Sequence, residues 1–250
     1  MISSEIAAHA LPDSASIYAR YITFDRIGSP SGGKLLFCCD LDADGIATLL
    51  SASIAGAASL CVDADRNRLR HGMKQGFCDF VVNDLDEALR ILKNEIRKKQ
   101  PVSVCLSSVP EDCIAEMIER GVQPDLLAPQ SSLAEAIQPF LQRGAVIVPE
   151  FHPDQGIKLF TWTAANHAIR ALSALDALAA ASLDPQRSDT TSRRHWLAAS
   201  PRYLGRALGK SHCVGMNADE SAQCLARLRA APEVVESAVV LTLDGKDISL

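Results

Sequence analysis

Aromatic side chains are scarce: Phe, Tyr and Trp make up 5% of the 250 residues, although 48% are hydrophobic. The core must therefore be aliphatic, which suits layers of parallel sheet and helix. Positive charge is not in excess either. The formal net charge is -5 and the pI near 5.7, which argues against a broad basic face and a dedicated nucleic-acid binder. The short basic clusters Arg97-Lys98-Lys99 and Arg193-Arg194 read as a helix end and a solvated loop. No apolar run approaches the ~18 residues of a membrane helix. The N-terminus lacks the basic region and apolar stretch of a secretory signal. There are 8 cysteines but no CxxC pair, so no disulfide framework is expected, and a reducing cytoplasm is. Cys38, Cys39, Cys61 and Cys105 fall in predicted strands, where a thiol acts as a small hydrophobe.

What the chain does have is concentrated between Lys34 and Asp65. Lys34–Cys39 is apolar without alternation, as a strand covered on both faces would be. Asp40–Gly45 is an acidic turn, and the Ala- and Ser-rich stretch Ile46–Ala58 reads as a helix close against a sheet. Ser59–Val62 reads as the next strand, with Asp63 at its carboxyl end. This is the outline of a βαβ nucleotide-binding unit. Asp63 falls 18 positions after Gly45, near the place of a ribose-binding acid in such a unit. The turn departs from that plan. A pyrophosphate loop uses glycines, whereas this one offers Asp40, Asp42 and Asp44.

The alternation of strand, helix and glycine continues to Val148. Helices are expected at Arg66–Gly76, Asp84–Lys99 (capped by Asn83), Ser108–Arg120 and Ser131–Arg143. Strands are expected at Phe77–Val82, Pro101–Leu106, Asp125–Leu127 and Ala145–Val148. The pattern predicts an α/β fold, a doubly wound and mostly parallel sheet, over about 34–160. Residues 1–33 form an entry segment, in which Ser14–Phe24 reads as either a short helix or an edge strand. Residues 161–250 read as a helical and mixed part. There, helices are expected at Thr161–Ser182, His195–Leu208 and Asn217–Ala230, with a polar loop at Leu183–Arg194. A final strand is expected at Val234–Leu243, with Asp244-Gly245 as a hairpin turn.

Three kinds of chemistry are open to these residues. The first is a metal site at Asp40, Asp42 and Asp44. A calcium loop would need a bidentate Glu where Ser51 stands. The phrase DLDADGIATLL also looks like the first motif of DHH-type phosphoesterases, but the chain has no His-His pair. The second is a nucleotide site, with Asp63 for ribose hydroxyls and Arg68 for a phosphate; a capped helix start with a surface arginine explains the same two residues. The third is a thiol, at Cys213 beside His212 or Cys78 near His71, where incidental cysteines are the plainer explanation. Glu150 and His152 lie just past a strand end, the usual ligand edge of an open α/β sheet.

Several separate phrases together resemble one family, urocanase (urocanate hydratase). They are Ala52-Ser53-Ile54-Ala55-Gly56-Ala57, Asp63-Ala64-Asp65 with Arg68, Asn83-Asp84-Leu85-Asp86-Glu87-Ala88-Leu89, Arg120-Gly121-Val122-Gln123-Pro124-Asp125-Leu126 with Gln130-Ser131-Ser132, and Phe140-Leu141-Gln142-Arg143-Gly144-Ala145-Val146. Their order and spacing agree over roughly 35–152, with a weaker echo at Val214–Pro232. The resemblance implies a Rossmann-like domain that binds NAD. In that family NAD acts as an electrophile in the hydration of urocanate. On this likeness Gly45, Asp63, Arg68, Gln130 and Ser132 would contact the cofactor. The protein would be a lyase on a small, urocanate-like carboxylate in histidine metabolism, cytoplasmic and a homodimer.

Two departures accompany the likeness. Only Gly45 remains of the family's glycine-rich loop, and Val109-Pro110-Glu111 stands where the family has Asn-Ala-Ala. The family's substrate-binding region and catalytic aspartate have no counterpart in these residues. Two alternatives therefore stand beside the hydratase: a non-catalytic binding or partner subunit that kept the fold, and a metal-dependent phosphoesterase using Asp40, Asp42 and Asp44. In each case the partner expected is a small molecule, with no nucleic acid and no membrane.

Overall fold

The structure, a computed structural model, describes residues 12, 14–28, 31–149, 158–162, 190–204, 212–216, 218–230, 242–243 and 246–247. Two compact units are present. One holds Thr23–Glu150 with the first residues of the chain, the other Ser14–Ile22 with Phe151–Leu250.

The first unit is built on β1 (Leu35–Cys39), β2 (Ala58–Asp63), β3 (Phe80–Val82), β4 (Val102–Ser107), β5 (Leu126–Ala128) and β6 (Val146–Ile147). They form one sheet in the order β3-β4-β2-β1-β5-β6, and every pairing is parallel. The central strands are buried along their whole length, which is why their sequences show no alternation. Side chains still alternate between faces. Leu35, Phe37 and Cys39 of β1 pack on one face with Leu85, Ala88, Leu89 and Leu92 of α4 (Leu85–Lys98), Ile114 and Met117 of α5 (Pro110–Glu119) and Phe140 of α6 (Gln138–Gln142). Leu36 faces the other way, with Ala52 of α2 (Ala43–Ala55) and Phe24 of α1 (Ser14–Gly28). Helices on both faces of a parallel sheet define a doubly wound α/β fold.

Three details differ from the expectation. First, α2 starts at Ala43, not Ile46, because the Asp42 side chain accepts from Gly45 N and nucleates the helix earlier. Second, the N-cap of α4 is Asp84, not Asn83, with its carboxylate accepting from Glu87 N. Third, Ser131–Arg143 is not one helix. It is a 3-10 turn at Ser131–Leu133 followed by α6. Pro139 lacks an N–H and its ring would strike the carbonyl four residues back, so it fits only the first turn of a helix. Ser14–Phe24, for which the sequence leaves a short helix and an edge strand both open, is helical, within α1. Arg66–Gln75, here α3, behaves as expected, ended by Gly76 in the left-handed conformation.

The second unit contains β7 (Lys158–Trp162), β8 (His212–Met216), β9 (Thr242–Leu243) and β10 (Lys246–Asp247), an antiparallel sheet in the order β10-β9-β7-β8. Thr161 and Trp162 are therefore strand, not the start of a helix; their backbone pairs antiparallel with Cys213 and His212, a long-range partnership that local composition does not announce. The rest of the expected helix to Ser182 lies outside the described residues. So do residues 234–241 of the expected last strand and the turn at Asp244-Gly245, which β9 and β10 flank. The expected loop at Leu183–Arg194 is helical from Thr190 on, as α7 (Thr190–Leu204). Buried Trp196 holds it, meeting Tyr18 edge-on at 5.0 Å and Tyr21 at 5.2 Å, while Tyr21 OH donates to Ser192 O at 2.8 Å. The helix α8 (Ala218–Ala230) matches its expectation. Among the described residues no helix is long and apolar enough to cross a membrane.

Candidate functional site

In this sheet β1 leads to β2 on one side, while β5 lies on its other side. The carboxyl ends of β1 and β5 thus flank the topological switch point, where open α/β sheets hold ligands. The strands deliver Asp40 after β1, Asp63 at the end of β2, Ser107 at the end of β4 and Gln130 after β5.

Asp40 turns the chain. Its φ is 58°, the left-handed region, which Asp enters more readily than most residues. The bend brings its carbonyl against Gly45, where a Cβ would lie 1.8 Å from Asp40 O. The turn is pinned from beneath. Asp63 is fully buried, and its carboxylate accepts from Leu41 N at 2.8 Å and Asp65 N at 2.7 Å. Arg68 completes the arrangement, with Nη2 donating to Asp63 Oδ1 at 3.0 Å and Nε lying 2.9 Å from Oδ2. That Nε contact is an ion pair set off the hydrogen-bond line. Arg68 Nη2 is also 3.6 Å from Asp40 Oδ1, and Gln130 Nε2 donates to Asp40 Oδ2. The crevice between β1 and β5 is thus spanned by Gln130 and Asp40, while Arg68 and Asp63 tie Asp40 to the end of β2 on its other side.

Burial raises the Asp40 carboxyl pKa, and the neighbouring Asp63 carboxylate adds to the rise; Arg68 opposes it, Asp42 adds to it, and the Gln130 hydrogen bond opposes it. For Arg68 burial alone would lower the guanidinium pKa. The hydrogen bond and charge of Asp63, with Asp40 and Asp65, outweigh burial and raise it. The Asp40 shift has a sign for stability. An acid that holds its proton more tightly folded than unfolded favours folding below the ordinary carboxylate range. That contribution is lost as pH rises through the raised folded value. Asp40→Asn, which also tolerates the left-handed backbone, is therefore expected to raise the urea midpoint at neutral pH. The difference from wild type should vanish below the ordinary carboxylate range.

The structure brings together Asp63, Arg68 and Gln130. Gly45 stands at the same turn, in the first turn of α2, with its N–H donated to Asp42 Oδ1 at 2.9 Å. Ser132 is exposed on the 3-10 turn and takes no part in this network. Asp65, which the sequence offered only as part of a phrase, caps α3 by accepting from Asn67 N at 2.8 Å and Arg68 N at 3.3 Å. The capping signal was legible in both cases: an Asp just before a helix, with the amides two or three residues on as its donors. Ser107 was missed; its Oγ lies 3.2 Å from Arg66 Nε. Glu150 and His152 fall outside the described residues.

The three aspartates of the metal reading do not converge. Asp42 caps α2, Asp44 is exposed within the first turn, and Asp40 meets Arg68 and Gln130. Among the described residues no group of three or more His, Cys, Asp or Glu side chains is placed to hold a metal ion. The thiols are arranged differently from a nucleophile pair as well. Cys38, Cys61 and Cys105 face one another across β1, β2 and β4 and are buried. Hydrogen bonding with Cys105 and Cys38 holds the Cys61 thiol below its ordinary value, while hydrogen bonding with Cys61 and burial raise Cys38 and Cys105; the Cys38 thiol donates to Leu60 O at 3.8 Å. Cys78 joins this row through Cys105 and is likewise buried. Cys213 lies in β8, paired with Thr161.

Fold and site together define a Rossmann-like domain with its ligand crevice at the switch point. The family model that describes the urocanase Rossmann-like domain matches residues 22–149. The chain belongs to the urocanase family. In that family this domain is associated with NAD.

The residues present do not fit the pyrophosphate of NAD in the usual pose. A helix N-terminus binds phosphate through free N–H groups. Here the Gly45 N–H is taken by the Asp42 carboxylate, and Asp44 sits in the same turn. A unit negative charge about 4 Å from a phosphate charge costs about 4 kcal/mol at the effective dielectric near a protein surface. Arg68 does not offset this, because Asp63 and Asp40 already engage it.

Proposed function

We propose that this urocanase-family chain is a non-catalytic binding or partner subunit, which keeps the family's Rossmann-like scaffold and has given up the dinucleotide. The observation that carries the reading is the Asp42 carboxylate on the Gly45 amide at 2.9 Å, in the position a phosphate oxygen would need. Such a subunit acts in a homodimer or beside a partner that supplies chemistry, with a small molecule at the switch point. A second reading keeps the chain a urocanase-like hydratase using NAD. It is favoured by Gln130, which the family likeness assigns to the cofactor and which stands at the switch point against Asp40.

One experiment separates them. The purified full chain is analysed by mass spectrometry for NAD. It is then incubated with urocanate and millimolar NAD while the ultraviolet absorbance of urocanate is followed. The binding-subunit reading expects no co-purified NAD and no loss of urocanate. Co-purified dinucleotide would overturn the loss of the cofactor site, and sustained consumption of urocanate would establish the hydratase.

A further inference from the structure

We infer that Asp42 is a built-in substitute for a phosphate group, a removable carboxylate that holds the amide a pyrophosphate-bearing ligand would need in this crevice. The inference rests on the binding-subunit reading above and adds the residue responsible and the ligand class excluded. The α2 helix has 13 residues, long enough for its N-terminus to attract an anion. The anion it holds is its own. Asp42 Oδ1 takes the Gly45 N–H, while the Asp42 carbonyl accepts from Ile46 N at 2.9 Å.

The shape of the turn does not depend on that carboxylate. Leu41 N is held by Asp63 at 2.8 Å. The Leu41 side chain is buried against α3, where a Cβ on Gly72 would meet Leu41 Cδ2 at 2.3 Å. Asp40 N continues the ladder to Val62 O at 2.9 Å. Removing the Asp42 side chain should therefore leave the backbone where it is and expose the amide of Gly45. The α4 helix supplies an internal comparison. Its Asp84 accepts from Glu87 N at 2.8 Å, the same capping geometry, but α4 follows the edge strand β3, away from the switch point.

The test titrates inorganic pyrophosphate, and separately NAD, into the full chain by calorimetry. The proteins are wild type, Asp42→Gly, Asp40→Asn/Asp42→Gly and Asp84→Gly. Gly at an N-cap costs only a few tenths of a kcal/mol relative to Asp, and Asp42→Ala, which likewise offers the Gly45 amide no acceptor, serves if the glycine variant does not unfold cooperatively. The inference expects no saturable binding to wild type, pyrophosphate binding at least about tenfold tighter in Asp42→Gly (1.4 kcal/mol per tenfold), a further gain in the double variant, and none in Asp84→Gly. If wild type is silent and the Asp42 variants are silent too, the inference falls while the binding-subunit reading stands. An equal gain in Asp84→Gly also overturns it, by making the effect common to any freed helix end. Micromolar NAD binding to wild type overturns both.

Discussion

Asp63→Ala is expected to lower the folding stability of the Rossmann-like domain by about 3–5 kcal/mol, the cost of removing one partner from a buried charged pair. The reason lies in what Asp63 holds. Its carboxylate is fully buried and accepts from Leu41 N, Asp65 N and Arg68. Alanine leaves two backbone N–H groups without an acceptor, at about 1–3 kcal/mol each, and leaves Arg68 only its longer ion pairs with Asp40 and Asp65. A domain has only about 5–15 kcal/mol of net stability, so the loss is a large fraction of the whole. The urea midpoint, read by far-ultraviolet circular dichroism, should fall well below wild type, and the Leu41 amide should exchange faster with solvent. An unchanged midpoint would mean that Asp63 does not hold the turn.

The second large effect is at Gly45. On helix propensity alone, Gly→Ala inside a helix stabilises by about 1 kcal/mol. Here the sign reverses. The new Cβ would sit 1.8 Å from Asp40 O, and the obstacle is backbone, which cannot rotate away. Either Asp40 leaves its left-handed conformation or the start of α2 shifts, and both break the bonds that Asp63 and Gln130 make to the turn. A net loss of about 2–3 kcal/mol is expected, in the range of overpacked sites. Gly72→Ala is the milder comparison, because its Cβ meets the Leu41 side chain, Cδ2 at 2.3 Å and Cγ at 3.4 Å, and not backbone. Gly45 is thus required by the close approach of Asp40, whether or not a phosphate ever lies above it.

Much of this fold was legible in residue patterns. The unalternating run at Leu35–Cys39 declares a strand covered on both faces, and glycines such as Gly76 declare helix ends. The leucines of α4 at helical spacing declare its buried stripe. The site was legible in its parts but not in its contacts. Asp40, Asp63, Arg68 and Gln130 could each be picked out. That Gln130 reaches Asp40 depends on β5 lying beside β1, a strand order that no local pattern encodes. The start of α2 was missed because Gly45 looks like the end of a turn. The competing signal, an aspartate three residues before an amide it can accept from, was the stronger one. The helical start of α7 was hidden because a polar, Pro-flanked stretch reads as loop. Burial of Trp196 against Tyr18 and Tyr21 overrides that local preference.

The central claim is that the Asp40–Gly45 turn is complete without a dinucleotide, its anion supplied by Asp42. The most direct measurement is a titration of the isotopically labelled full chain with NAD to millimolar concentration, followed residue by residue in amide nuclear magnetic resonance spectra. The amide of Gly45 should keep its chemical shift throughout, held by Asp42 whether or not NAD is present. A saturable shift of the Gly45 amide in wild type, absent when NAD is replaced by nicotinamide alone, would contradict the account.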